Sequence, residues 1–210
     1  SAFSTAFGFL LNDLSDAELD RSAGVLRNPV STGELSRNRG IKIAVFLVLA
    51  SMAPLSSLSL QNQLLGLVVV FLYFTYSWIV RAKSRPVWDI LYHGSCLAIL
   101  VTMGYVEYRS FDFVGLLLAS LIFFLSSISQ ILQEIRDYEG DRKTVRTTAT
   151  LLGKKKSLTL CLAFFTSAFA IFLSLLFYGV IPFETLLLSP MVYFYIAPII
   201  KSIANGEYED

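Results

Sequence analysis

Cysteine occurs only twice in the 210 residues, at Cys96 and Cys161, each inside an apolar run. That scarcity excludes a disulfide framework and a CxxC metal site, and leaves both as small core residues. Charge is sparse too, at 16% Asp, Glu, Lys and Arg, and no Gly/Ser linker or low-complexity tract divides the chain. A formal charge of +1 says little about partners, and no nucleic-acid partner is expected. No signal peptide is read at the start. What is abundant is apolar surface: 55% hydrophobic residues, 17 Phe and 10 Tyr, with a mean hydropathy of +0.63. A soluble domain of this length is seldom so apolar.

Six stretches approach the roughly 20 residues that cross a bilayer, at 41–60, 62–80, 88–106, 112–133, 157–179 and 183–203. The opening run SAFSTAFGFLL is too short to span and reads as the end of a longer helix. Together they predict an all-α, polytopic transmembrane bundle of about seven helices in one domain, 1–210. Pro54 is expected inside a span, where neighbours can re-satisfy the freed carbonyl. Gln61 with Asn62, and Gly179 with Pro182, mark expected turns.

Charge placement supports the span count independently. Arg21, Arg27, Arg37, Arg39 and Lys42 precede the first span, and Arg81, Lys83 and Arg85 follow the second. A third loop holds Arg136, Arg142, Lys143, Arg146, Lys154, Lys155 and Lys156, and Lys201 lies near the end of the chain. Alternating spans put all of these on one face, with Arg109 alone on the other. By the positive-inside rule the loaded face is cytoplasmic, which predicts an integral protein of the cell (inner) membrane.

Directly after the opening run comes NDLSDAELDR, Asn12 to Arg21. If the helix continues, Asn12, Asp16 and Asp20 fall at i, i+4 and i+8 on one face, with Asp13 near them. Like charges at this spacing each cost ~0.2–0.5 kcal/mol, and acids at a helix C-terminus oppose its dipole by ~0.3–1 kcal/mol more. A divalent cation would convert that repulsion into coordination. The plain alternative is a solvated cap where the helix leaves the membrane.

A second cluster weighs against the plain alternative. After span 112–133 comes QEIRDYEGDRKTVRTT, in which Asp137, Glu139, Asp141 and Arg142 match Asp16, Glu18, Asp20 and Arg21. Each copy is followed by an arginine, Arg27 or Arg146, then by a glycine, Gly33 or Gly153, and then by a pair of spans. This pattern reads as an internal duplication that brings two acidic helix ends to one membrane surface. Mg²⁺ typically takes one or two carboxylates plus phosphate oxygens, so a diphosphate bridged by metal suits the set. Arginines then meet the phosphate oxygens. An EF-hand calcium loop is not present in the pattern.

These residues resemble a known family. NDLSDAELD is similar to the first aspartate-rich signature, NDxxDxxxD, of the UbiA superfamily of intramembrane prenyltransferases, and DYEGD to its second, DxxxD. RNPVSTGELS resembles the Arg-Pro-x-x-Ser/Thr-Gly stretch, RTTATLLGKKKS the Thr-rich segment, and TYSWIVRAKSRPVWDILYHG the YxxxK region, in the form found in members that prenylate carotenoids. The family has nine transmembrane helices, so the resemblance implies a fragment with about seven of the nine, lacking the first, most of the second and the last. It departs at Val80, which stands where the lysine belongs and leaves Arg81 or Lys83 to supply the charge, and at Asn28, which interrupts the Arg-Pro pair.

The resemblance implies a Mg²⁺-dependent transfer of an isoprenyl group from a polyprenyl diphosphate to a lipophilic acceptor: a carotenoid, a quinone precursor or a lipid. Asn12, Asp16, Asp137 and Asp141 would hold the metal, with Asp13 and Asp20 as additional ligands. Arg27, Arg81, Lys83 and Arg146 would neutralise the leaving diphosphate. Tyr76 would face the allylic cation, helped by Tyr73 and Trp78, although these two rings also suit an interfacial aromatic belt. His93 reads as a general base or as a buried group beside Gly94 at a close helix crossing. Asp89 reads as a proton acceptor or as a cap near Arg85, and Lys154 to Lys156 as contacts to anionic lipid. The competing class is a divalent-cation or small-molecule transporter with an acidic vestibule, which predicts ionisable residues deep in the spans.

Overall fold

The computed structural model describes residues 2–24, 26–79, 81–142, 145–188, 197 and 201. Among them no strand occurs, and eight α-helices follow in order: α1 (Ala2–Ala23), α2 (Pro29–Thr32), α3 (Arg37–Met52), α4 (Leu60–Phe74), α5 (Trp88–Tyr108), α6 (Phe113–Asp141), α7 (Thr148–Leu152) and α8 (Lys154–Phe177). Five helical segments are long and apolar enough to cross a membrane: Arg37–Ser57, Leu60–Ile79, Trp88–Tyr108, Phe113–Asp141 and Lys154–Phe177. Large apolar side chains such as Phe46, Leu49, Leu64 and Phe71 are exposed along α3 and α4, a surface that lipid rather than water would solvate. The expected span 183–203 begins as a 3₁₀ turn, Phe183–Leu188; most of its remainder lies outside the described residues.

Two expectations about boundaries need correction. Pro54 does not lie within a helix: α3 ends at Met52 and Pro54 opens a 3₁₀ turn to Ser57, because its ring removes an N–H and clashes with the preceding turn. Gln61 and Asn62 are not a turn but the first turn of α4, which Ser59 caps by accepting from Asn62 N at 3.3 Å. Helix α6 runs past the apolar stretch 112–133 to Asp141, so that the second acidic motif lies at its end as expected. Its polar extension is rich in Gln, Glu and Arg, which favour helix without needing lipid.

The described chain divides into two compact units, Ser1–Ala82 with Met103–Ser110, and Lys83–Thr102 with Phe111–Asp210. In the first, Phe7, Leu11, Leu14 and Ala17 form one stripe of α1 and pack with Val30 and Ala44, which leaves the acidic stripe on another side of the same helix. Glu107, near the end of α5, accepts from Ser59 N and Oγ and from Asn62 Nδ2. In the second, α6 packs along α8 around Ile90, Ile128, Ile131 and Cys161. Asp112 caps α6 by accepting from Gly115 N at 2.9 Å, and Gly179 turns the chain after α8 with φ 66°.

Candidate active site

Helix α1 continues without a break through the first acidic motif, so Asn12, Asp16 and Asp20 share a stripe. All three, with Asp13, are half-buried. Ser15 Oγ donates to the Asn12 carbonyl at 2.9 Å and to Asp16 Oδ1 at 3.3 Å. The buried Asn28 then ties the following loop back onto the helix. Its Nδ2 donates to the Asp13 carbonyl at 2.9 Å and to Asp20 Oδ2 at 2.7 Å, while its Oδ1 accepts from Val30 N and Ser31 N as the cap of α2. Arg21 closes the same loop, donating from Nε to Ser31 O and from Nη2 to Val30 O. The signal for Asn28 was legible as Asn followed by Pro, a helix-start pattern, but not its reach back to Asp20. Arg27, one residue earlier, is exposed.

Against α1 packs a π-helical turn, Thr75–Ile79, at the end of α4. Such turns concentrate at functional sites. This one presents Tyr76 half-buried, with Ser77 buried and Trp78 exposed beside Phe74 at 5.6 Å between rings. Tyr73 is a packing residue: a Cβ on Gly8 would lie 2.7 Å from its ring, so glycine lets α1 and α4 meet there. Arg81 follows, exposed and with φ 49°; the Lys83 side chain lies outside the described residues.

The second unit holds the other motif. Asp137 and Asp141, on the last turns of α6, are half-buried. Arg136 donates to Asp137 through both Nε and Nη2 at 2.9 Å. Glu139 takes Lys154 at 2.7 Å and Arg142 at 3.4 Å, and the Lys154 ammonium stands 5.0 Å from the Tyr138 ring centre. Lys154 is therefore engaged by Glu139 and the Tyr138 ring. Val145 N donates to the Asp141 carbonyl at 2.7 Å, which brings the exposed Arg146 close along the chain to the acids.

Behind this end stand two carboxyl groups. Asp89, fully buried on α5, accepts from Thr148 N at 2.8 Å and from Thr148 Oγ1 at 2.6 Å, so its carboxyl holds the start of α7. Glu134, buried on α6, accepts from Ala149 N at 3.0 Å. A Cβ on Gly94 would meet Ser127 Oγ at 2.7 Å, so α5 and α6 cross closely beside His93.

The donor set suits Mg²⁺ bound through phosphate. Among the described residues no three His, Cys, Asp or Glu groups converge on one point, but each helix end offers an i,i+4 pair, and magnesium asks for only one or two carboxylates when phosphate oxygens and water complete its shell.

Comparison with known proteins decides the family. Residues 1–208 match the model of the UbiA prenyltransferase family. The chain belongs to that family. This UbiA-family chain is 25% identical over 195 residues to digeranylgeranylglyceryl phosphate synthase of Methanosphaera stadtmanae, covering 91% of the chain and 63% of that protein. It is 28% identical to coumarin 8-geranyltransferase 1 of Citrus limon, covering 72% of the chain and 40% of that enzyme. The chain thus spans less than two thirds of the length of these curated relatives. Its fold matches that of a UbiA homolog from Archaeoglobus fulgidus solved with GPP and Mg²⁺, with a TM-score of 0.74 and 21% identity over 99% of this chain and 74% of that one. The all-α membrane architecture expected from hydropathy and motif is the fold of this family.

Proposed function

We propose that the protein transfers an isoprenyl group from a polyprenyl diphosphate to a lipophilic acceptor within the bilayer. The observation that carries this reading is the pair of half-buried, i,i+4 acidic stripes at the ends of α1 and α6, each in the same duplicated sequence frame. Asn12 and Asp16 at the end of α1, and Asp137 and Asp141 at the end of α6, would each hold Mg²⁺ on diphosphate oxygens, with Asp13 and Asp20 in support. Bound there, the metal supplies Lewis-acid stabilisation of the departing diphosphate. Arg27, Arg81, Lys83 and Arg146 add positive charge where negative charge develops. In the reaction the C1–O bond to diphosphate breaks with its electron pair leaving on oxygen. The acceptor's nucleophilic atom forms the new bond to C1, and a proton departs from the acceptor. Tyr76, held by the π-helical turn, would offer its ring face to the allylic cation at about 0.5–2 kcal/mol.

The relatives' names carry two acceptor chemistries, a glycerol-phosphate lipid and an aromatic coumarin ring; the carotenoid-like YHG segment adds a polyene. We place the site on the cytoplasmic side of the cell (inner) membrane, from the distribution of Lys and Arg. The transporter alternative is less favoured, because Asp89 and Glu134, the carboxyls buried within spans, are engaged by the α7 backbone rather than open to a cargo. The test is to incubate the full-length protein in vesicles with radiolabelled geranyl or geranylgeranyl diphosphate and the three acceptor classes. Label should enter the lipid fraction with Mg²⁺ and not with EDTA. Transfer that is indifferent to Mg²⁺, or none with any acceptor, would reject the reading.

A further inference from the structure

Helix α7 has only five residues, yet its first donors are held from three directions. Thr147 and Thr150 form a reciprocal capping box, with Thr147 N donating to Thr150 Oγ1 at 2.8 Å and Thr150 N to Thr147 Oγ1 at 3.2 Å. That local device would suffice for a short helix. In addition, Asp89 of α5 takes both Thr148 N and Thr148 Oγ1, and Glu134 of α6 takes Ala149 N through one oxygen and Gln130 Nε2 through the other. Thr148 Oγ1 also accepts from Val87 N at 2.7 Å. Asp89, Glu134, Thr148 and Ala149 are all buried. Val87 makes its contact with φ 73°, a left-handed conformation that a β-branched residue keeps only where its surroundings enforce it.

Arg146, one of the residues proposed above for the donor diphosphate, lies just before α7. Val145 N is bonded to the Asp141 carbonyl, and Arg146 immediately precedes the capping residue Thr147. The backbone at Arg146 is therefore flanked on one side by the bond from Val145 N to the Asp141 carbonyl and on the other by the buried carboxyl groups on Thr148 and Ala149.

We propose that Asp89, Glu134 and Thr148 form a buried latch that positions Arg146 beside the second acidic motif, and so act as positioning residues for capture of the donor diphosphate. This rests on the prenyl-transfer reading above. Thr148 is the joint of the latch, because its amide and hydroxyl together contact α5 and the Val87 loop.

The test uses the full-length protein in nanodiscs, with initial rates measured against geranylgeranyl diphosphate at saturating Mg²⁺ and acceptor. Thr148→Val removes the hydroxyl and keeps the shape; donor KM should rise at least tenfold with kcat within threefold, and Thr148→Ser should restore KM to within twofold. Because the latch acts through Arg146, adding Thr148→Val to Arg146→Ala should change KM no further. Additive effects, or a lowered melting point with an unmoved donor KM, would overturn the proposal. Should Thr148→Val not fold, hydrogen exchange on the wild type decides: the Thr148 and Ala149 amides should be the slowest of residues 145–152, and exchange as fast as that of Leu151 would overturn it. Absence of turnover in the wild type defeats the prenyl-transfer reading and this role with it, whereas turnover with an unmoved KM in Thr148→Val defeats the latch alone.

Discussion

The ends of α1 and α6 carry nearly the same six-residue pattern and are supported in opposite ways. At the end of α1 the support comes from in front: the chain folds straight back, and Asn28 grips Asp20 and the Asp13 carbonyl. At the end of α6 it comes from behind, from Asp89 and Glu134 holding α7, while the motif itself is laced by the ion pairs of Arg136 with Asp137 and of Glu139 with Lys154. The equivalent arginines diverge as well. Arg21 binds backbone carbonyls of the returning loop, and Arg142 binds a carboxylate on its own helix. The shared frame persists in the short helices that follow, α2 and α7, each ending in a glycine of positive φ, Gly33 at 85° and Gly153 at 82°. The two copies of the pattern therefore share the spacing of their acids, while each is held still by its own means.

The largest expected effect tests whether the two ends are chemically equal. Asp16→Ala and Asp137→Ala should each lower kcat/KM for the prenyl diphosphate by about a hundredfold or more, the scale of losing one electrostatic contact to a developing anion, with circular dichroism and melting unchanged. Loss at only one end would break the symmetry of the comparison. Next comes the support unique to the first end. Asn28→Ala strands Asp20 and uncaps α2, and should destabilise the fold by about 1–3 kcal/mol, read as a lower melting point in detergent. An unchanged melting point would mean that the contact to Asp20 contributes nothing. A third comparison, of similar size, concerns packing within each unit. Gly8→Ala pushes on the Tyr73 ring and Gly94→Ala on Ser127 Oγ and Phe123, each with a first contact at 2.7 Å; overpacking of this kind costs ~1–3 kcal/mol. Because the Tyr73 ring can swing, Gly8→Ala should lie at the low end, and a larger loss there than at Gly94 would reverse the ranking.

Several features were legible in the chain because they are local or compositional. The apolar runs placed the first five spans to within a few residues, apart from the polar end of α6, and the i,i+4 acids needed only a continuous helix to share a stripe. The break at Pro54 was misjudged because tolerance of proline depends on neighbours that sequence does not display. The role of Asp89 stayed open between two readings for the same reason: its partner Thr148 is 59 positions away, and Glu134 reaches Ala149 across 15, separations at which no periodicity survives.

By itself, then, the sequence determined the membrane character, the helical class and the paired acidic stripes, since hydropathy and a 3.6-residue repeat are properties of each segment alone. Only the tertiary structure decided which polar residues serve the fold and which remain for chemistry. A buried carboxyl group is committed by the donors that packing brings to it, and here those donors come from the start of α7, which the chain reaches 59 positions after Asp89 and 15 after Glu134.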